Sequence, residues 1–336
     1  MKRRRVEEEL LGTVITKRCW IVRTLLGAGL ALAVLGVMAY RHPSMAVDQI
    51  TRFQSWRIGL EQHEIKLGKY RIHYVVSEDP VSGKPGKPLV LVHGLEGRAE
   101  DWLQLIPLLT ASGYKIYALD LLGFGRSEHP DVDYSIALQE DILRQFIDSQ
   151  NLQQPDVAGW SMGGWVSLKF AAEHPERVHR LVLMDSAGLK FDAVNVEALR
   201  PRNEAELAHM MEVLTPHPKP IPRFFARDIV RNLHSNDWVV GRVLKSMFAG
   251  QDLMDGKMQT VTMPVLILWG KQDVLTPPTI GEQMHQAMPQ SLYIAVDGYG
   301  HLAPIESKEI FAKEVDRFLK AEPPLAAGVR EIREGQ

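Results

Sequence analysis

Gly159-Trp160-Ser161-Met162-Gly163-Gly164 stands between a short run, Pro155-Asp156-Val157-Ala158, and a helix-like stretch, Trp165-Val166-Ser167-Leu168-Lys169-Phe170-Ala171-Ala172. Gly-x-Ser-x-Gly in a strand–turn–helix setting is the pattern of a nucleophile elbow, a turn so sharp that it holds the serine hydroxyl out of the backbone. The flanking glycines fit this reading, because a Cβ at Gly159 or Gly163 would collide with the neighbouring strand or helix. The pattern alone also describes an ordinary loop serine, so its meaning depends on what surrounds it.

Outward from this turn, apolar runs alternate with amphipathic stretches. Glu64-Ile65-Lys66-Leu67 and Arg71-Ile72-His73-Tyr74-Val75-Val76 flank Gly68-Lys69 and predict a hairpin. Leu89-Val90-Leu91-Val92 is continuously apolar, as in a strand buried on both faces. Lys115–Asp120, Arg180–Met184, Val265–Trp269 and Leu292–Val296 read as further strands, and Ser135–Ser149 as an amphipathic helix. A hairpin followed by alternating β and α units predicts an α/β protein with a mostly parallel central sheet and helices on both faces. Between Gly188 and Met263 no strand-like run occurs. That interval holds helical segments rich in Met and Phe, broken by Pro216, Pro218, Pro220 and Pro222, and predicts a helical cap between the sixth and seventh strands. Such stripes can pack on the core and line a cavity beneath.

The N-terminal region is of another kind. Residues 1–18 are highly charged, and Thr24–Tyr40 carries no charged side chain. This apolar stretch suits the short end of membrane-spanning lengths, about 17–25 residues, and basic residues cluster before it. The expectation is a single-pass anchor with a cytoplasmic N-terminus and the remaining chain on the outer side. Its rival is a cleaved signal peptide, with Val37-Met38-Ala39 or Ser44-Met45-Ala46 as the cleavage region. The resulting partition is 1–18 charged segment, 19–40 anchor helix, 41–59 connector, 60–188 first part of the core, 189–262 cap, 263–320 second part of the core and 321–336 tail. A net charge of -2 gives no general reason to expect nucleic acid. The single cysteine, Cys19, rules out an intramolecular disulfide, and no zinc-type His/Cys spacing occurs. The sequence calls for no cofactor and no metal, and leaves oligomeric state open.

A serine hydroxyl needs a base, an orienter for that base and donors for a developing oxyanion. Asp273 follows the strand ending at Trp269, and His301 follows the last strand within Asp297-Gly298-Tyr299-Gly300-His301. Both loops lie at the C-terminal ends of strands, the edge on which Ser161 lies and where open α/β sheets place ligand chemistry. Ser161 is therefore the expected nucleophile, His301 the base and Asp273 the acid, with Asp185 the second candidate for the acid. His93-Gly94-Leu95-Glu96-Gly97 follows the buried strand, so the backbone N–H groups of Leu95 and Met162 are the expected oxyanion donors. His93, Gly94, Gly159 and Gly163 support the two turns, Asp120 braces the loop after it, and Glu96 is expected to be solvated.

Taken together, His93-Gly94, the Ser161 turn, Trp269-Gly270-Lys271-Gln272-Asp273 and Gly300-His301 resemble the α/β-hydrolase fold family over about residues 60 to 320. Within it, the Ser-Met-Gly-Gly turn, Ala187-Gly188-Leu189 and the N-terminal apolar stretch look most like the membrane-anchored monoacylglycerol-lipase branch. The resemblance implies cofactor-free hydrolysis of carboxylic esters with medium or long acyl chains, and so a lipid or other acyl-ester substrate. The chain departs from many relatives after His-Gly, where Leu95-Glu96 stands in place of an aromatic, and this leaves the shape of the acyl pocket open. Ser161 argues against the carboxylate nucleophile of epoxide hydrolases and haloalkane dehalogenases. A serine-dependent carbon–carbon bond hydrolase and a catalytically silent, membrane-tethered binding protein remain as alternatives.

Overall fold

The computed structural model describes residues 40–80, 85–192 and 195–333, together with Thr24, Gly29, Gly36 and Val37. The expected anchor at 19–40 and the charged segment before it lie outside the described residues, those positions and Tyr40 apart. Among the described residues no helix is long and apolar enough to cross a membrane.

Nine strands form one sheet. They are β1 (Leu60–Leu67), β2 (Tyr70–Ser77), β3 (Lys87–Val92), β4 (Tyr114–Leu119), β5 (Asp156–Trp160), β6 (Leu181–Met184), β7 (Val265–Gly270), β8 (Leu292–Val296) and β9 (Gly328–Ile332). Their spatial order is β1-β2-β4-β3-β5-β6-β7-β8-β9. The β1–β2 and β2–β4 pairs are antiparallel and every other pair is parallel. The hairpin register brings Leu67 opposite Tyr70 across Gly68-Lys69, where the alternation places the turn. Side chains on a strand point alternately to the two faces, so β3 feeds both cores at once. Val90 and Val92 pack with Phe146, Val166 and Leu168 on one face, while Leu89 and Leu91 pack with Trp102, Phe311 and Phe318 on the other. This double burial explains the uninterrupted apolar run.

Helix α1 (Pro43–Arg57) precedes β1, and the short α2 (Ile106–Ala111) precedes β4. Helix α3 (Ile136–Ser149) starts where the Ser135 hydroxyl accepts the Leu138 N–H at 3.0 Å. Helix α4 (Met162–Glu173) leaves the Ser161 turn. The interval between β6 and β7 holds α5 (Glu204–Leu214) and α6 (Arg223–Phe248), separated by the proline-rich stretch, plus short 3-10 turns. Val239, Val240, Val243 and Leu244 of α6 are buried against the core. Helix α7 (Pro278–Ala287), the single turn α8 (Ala303–Glu306) and α9 (Lys308–Lys320) complete the chain up to β9.

Two stretches carry more structure than the sequence suggested. The region 41–59, read as a connector, contains the 15-residue helix α1. Ion pairs fix it to the core: Asp48 lies 3.0 Å from Arg98 and 3.5 Å from Arg126, and Arg126 lies 3.0 Å from the buried Glu100. The stretch 321–336, read as a tail, supplies β9, which pairs in parallel with β8.

Asp120, at the end of β4, is the polar hub beneath the loops. It is fully buried, and its carboxylate accepts the Ala99 N–H at 2.6 Å, the Arg126 N–H at 2.8 Å and the His73 ring at 2.7 Å. Burial opposes its charge, but the hydrogen bonds from His73 and the Arg126 N–H help to offset this, and its pKa is held below the usual carboxylate range. Asp120→Asn should therefore destabilise the fold by about 1.5–3 kcal/mol at neutral pH. Because the folded-state value is depressed, this contribution is present above the ordinary carboxylate value and is lost as pH falls through the folded one. Urea unfolding of both proteins between neutral and acid pH should show the gap closing on the acid side. A gap that does not change with pH would contradict a charged Asp120.

Candidate active site

Ser161 occupies the turn between β5 and α4 at φ +56° and ψ −119°, a left-handed conformation that a non-glycine residue adopts only under constraint. Its N–H donates to Met184 O at 2.9 Å, and its own carbonyl accepts the Trp165 N–H at 3.2 Å and the Ala187 N–H at 3.1 Å. The glycines around it are demanded by contact. A Cβ on Gly159 would lie 2.2 Å from Gly163 O, and one on Gly163 would lie 2.2 Å from Val92 O. No side chain fits at either position.

The loop after β3 passes directly over the serine. A Cβ on Gly94 would lie 3.2 Å from Ser161 Cβ. His93 holds this loop: its Nδ1 donates to Gly94 O at 2.7 Å, and its Nε2 accepts the Leu121 N–H at 2.9 Å. Burial pushes its pKa down, so the neutral ring that these two bonds require is the stable form. Both nitrogens are committed, and His93 is a fastener rather than a second base. Leu95 and Met162 line a cavity with Ser161, and neither backbone N–H is taken by a hydrogen bond among the described residues.

His301 Nδ1 and Asp273 Oδ2 are 2.7 Å apart, and both residues are buried. The other Asp273 oxygen accepts the Leu275 N–H at 2.8 Å and the Thr276 N–H at 3.0 Å. With a carboxylate facing Nδ1, the ring proton belongs there and Nε2 keeps its lone pair. His301 and Ser161 line the same cavity of about 230 Å³. No hydrogen bond joins the Ser161 hydroxyl to the His301 ring among the described residues; such bonds are commonly long in unliganded sites and tighten with substrate. The expected nucleophile, base, acid and oxyanion donors thus converge at one edge of the sheet.

Three features were not visible beforehand. Thr276 Oγ1 lies 2.8 Å from Asp273 Oδ2, 3.1 Å from His301 Nδ1 and 3.0 Å from Asp185 O, knitting the acid loop to the end of β6. Trp160 Nε1 donates to His301 O at 3.0 Å, so the residue before the serine holds the histidine loop. Glu96 is the third: it is half-buried rather than fully solvated, has φ +60° and lines the same cavity as Ser161 and His301. Burial, reinforced by Asp237, pushes its pKa up to about 7.

A second cavity, of about 390 Å³, also opens on Ser161. Its walls are mostly apolar, with Trp165, Leu189 and Phe191 from the core side and Leu244, Met247 and Phe248 from α6. Met210 of α5 lines the smaller cavity, so the Met- and Phe-rich interval both packs and lines.

Comparison with known proteins agrees with the fold. The family described as alpha/beta hydrolase fold matches residues 87–212, and that described as TAP-like protein matches 237–325. Lipase 3 of Moraxella sp. (strain TA144) is 26% identical over 286 residues, covering 81% of this chain and 88% of that one. The 2-hydroxy-6-oxo-6-(2'-aminophenyl)hexa-2,4-dienoic acid hydrolase of Metapseudomonas resinovorans is 29% identical over 253 residues, covering 70% and 84%. The crystal structure of a membrane phospholipase A, a bacterial virulence factor, superposes with a TM-score of 0.76 at 25% identity, covering 88% of this chain and 97% of that one. The chain belongs to the α/β-hydrolase fold family and is a hydrolase.

Asp185, the second candidate for the acid, is placed differently from Asp273. It is fully buried at φ +42°, its Oδ1 accepts the Gly270 N–H at 2.7 Å, and its Oδ2 has no partner. Burial, then the nearby Asp273, pushes its pKa well above the usual carboxylate range. Asp185→Asn keeps an acceptor for Gly270 and should leave turnover within a few-fold of the wild type. Asp273→Asn should lower kcat by about 10⁴, the loss typical of a triad acid made neutral. The reverse ranking in a steady-state assay would transfer the acid role to Asp185.

Proposed function

We propose that the protein hydrolyses carboxylic esters of medium or long acyl chains through an acyl-enzyme on Ser161. The observation that carries this reading is the position of Ser161 at the junction of two cavities, only one of which His301 lines. Ser161 Oγ attacks the ester carbonyl while His301 Nε2 takes its proton, and Asp273 orients the imidazole and stabilises its charge. The Leu95 and Met162 amides receive the oxyanion; removing one such donor elsewhere raises the barrier by about 2.7–4 kcal/mol. The alcohol leaves with the proton from His301, and water then releases the acid.

The proton returns from His301, so the alcohol must depart on the His301 side. The acyl chain is then assigned to the larger, apolar cavity beneath the helices between β6 and β7, which act as a cap. Lipase relatives, the membrane phospholipase likeness and the apolar N-terminal stretch support a lipid ester, of monoacylglycerol type, reached at a membrane surface. The exposed Phe53 and Trp56 of α1, downstream of that stretch, suit a helix lying at the interface, with the catalytic part on the outer side.

The dienoic acid hydrolase relative favours testing carbon–carbon bond hydrolysis in parallel. Purified enzyme should turn over an acyl ester in preference to a dienol diketone, and a fluorophosphonate should label Ser161. Ser161→Ala should fold normally and lose at least about 10⁴-fold in turnover. Retained ester turnover in this variant would overturn the assignment of the nucleophile. Faster turnover of the diketone would move the enzyme to the carbon–carbon class.

A further inference from the structure

Away from the active site, one cluster among the described residues has the composition of a cation site. Glu140 of α3, Glu173 at the end of α4 and His174 beside it bring two carboxylate oxygens and an imidazole nitrogen within 4.8 Å of one another. Its members come from two helices, which is why no local His/Cys spacing announces it. Glu140 is only 6% exposed, and its Oε1 is buried without a hydrogen-bond partner. Facing that oxygen is His174 Nε2 at 3.6 Å, too far for a hydrogen bond. Two ligand atoms held tetrahedrally at about 2.1 Å from one zinc ion lie about 3.4 Å apart, so the gap is of metal-bridged size. No hydrogen bond holds His174 Nδ1 among the described residues, so the ring proton can sit there and leave the Nε2 lone pair facing Glu140.

The two protein cations beside the cluster do not fill it. Arg144, one turn along α3, is held by Asp141 and by Asp148 at 3.5 Å. Lys169 Nζ lies 2.6 Å from Glu173 Oε1, but Asp252 Oδ1 at 3.6 Å offers it a second acceptor. Glu173 can therefore turn to an ion without stranding the ammonium. Its side chain is exposed and His174 is half-buried, which leaves a way in from water.

We propose that Glu140, Glu173 and His174 form a site for a divalent cation of the zinc type, which ties α3 to the end of α4. One imidazole and two carboxylates suit such a borderline ion better than magnesium or calcium, which take oxygen ligands. The two carboxylates balance its charge, and water completes the coordination. The site acts on the fold and not on the reaction. Helix α4 begins at the Ser161 turn and ends at this cluster, so the ion fastens the far end of the helix that carries the turn. A buried carboxyl oxygen without a hydrogen bond is unfavourable, and an ion in the gap satisfies it.

The test uses the full-length enzyme stripped with EDTA and then titrated with Zn²⁺ or Mg²⁺, read by calorimetry and by thermal unfolding. Zinc should bind one-to-one and, at about a hundredfold over its Kd, raise Tm by about 4 °C or more. Magnesium at the same concentration should leave Tm unchanged. His174→Ala and Glu140→Gln should each weaken zinc binding by about 10-fold or more. His179→Ala, whose ring is paired separately with Asp156 at 2.8 Å, should bind zinc as the wild type does. The wild-type titration stands even if a variant fails to fold. No response to zinc, or a response unaltered in both His174→Ala and Glu140→Gln, overturns the site. An equal rise with magnesium overturns the role of the imidazole. A lower Tm for His174→Ala with neither protein responding to zinc would make Glu140 and His174 a plain ion pair, and it too overturns the proposal.

Discussion

The conformation of Ser161 is the constraint on which the site depends. A serine at φ +56° carries strain of about 1–3 kcal/mol, and the hydrogen bonds from β6 and α4 to its own peptide groups hold it there. The turn can close only because Gly159 and Gly163 bring β5, α4 and the end of β3 into backbone contact. That contact also sets the N–H of Met162 beside the loop bearing Leu95. The proposed nucleophile, the helix start and the proposed oxyanion donors are thus one geometric object.

Around this turn the other groups are held by bonds that leave their chemistry free. His301 is tied at Nδ1 by Asp273 and through its carbonyl by Trp160, leaving Nε2 unencumbered. Asp273 in turn is braced by two backbone N–H groups and by Thr276. Nearby Asp185 has its pKa raised by burial and by Asp273, so the two carboxyls are set apart in acidity. The division of the cavity follows the same logic. The serine stands where the two spaces meet, so one ester can lay its apolar chain in one and its alcohol in the other.

Much of this was legible in the sequence because each active group closes a strand. A strand buried on both faces is a continuous apolar run, and the residues just beyond Val92, Trp160, Trp269 and Val296 are the ones brought to the shared edge. What escaped was carried by tertiary contact. Thr276 and Trp160 have no local pattern that announces a bond to Asp273 or His301. The partial cover of Glu96 comes with a cavity that Met210 and Leu214 of α5 and Leu233 of α6 also line, so a charged residue after Leu95 reads as solvated when taken alone. Helix α1 turns Ile50, Phe53 and Trp56 outward and is fastened instead by Asp48, so its apolar residues do not mark a core-facing stripe. Strand β9 alternates apolar and charged residues at the sheet edge, and its Val329 is exposed, so it resembles a tail. The N-terminal apolar stretch is known from its composition alone.

The most direct measurement is a crystal structure of the enzyme inactivated by a long-chain alkylphosphonate ester. The phosphorus should be bonded to Ser161 Oγ, its oxygen should accept hydrogen bonds from the Leu95 and Met162 N–H groups, and His301 Nε2 should lie within hydrogen-bond distance of the serine oxygen. The alkyl chain should run between Trp165 and Met247. An adduct on another residue, or a phosphonyl oxygen turned away from those two amides, would contradict the account.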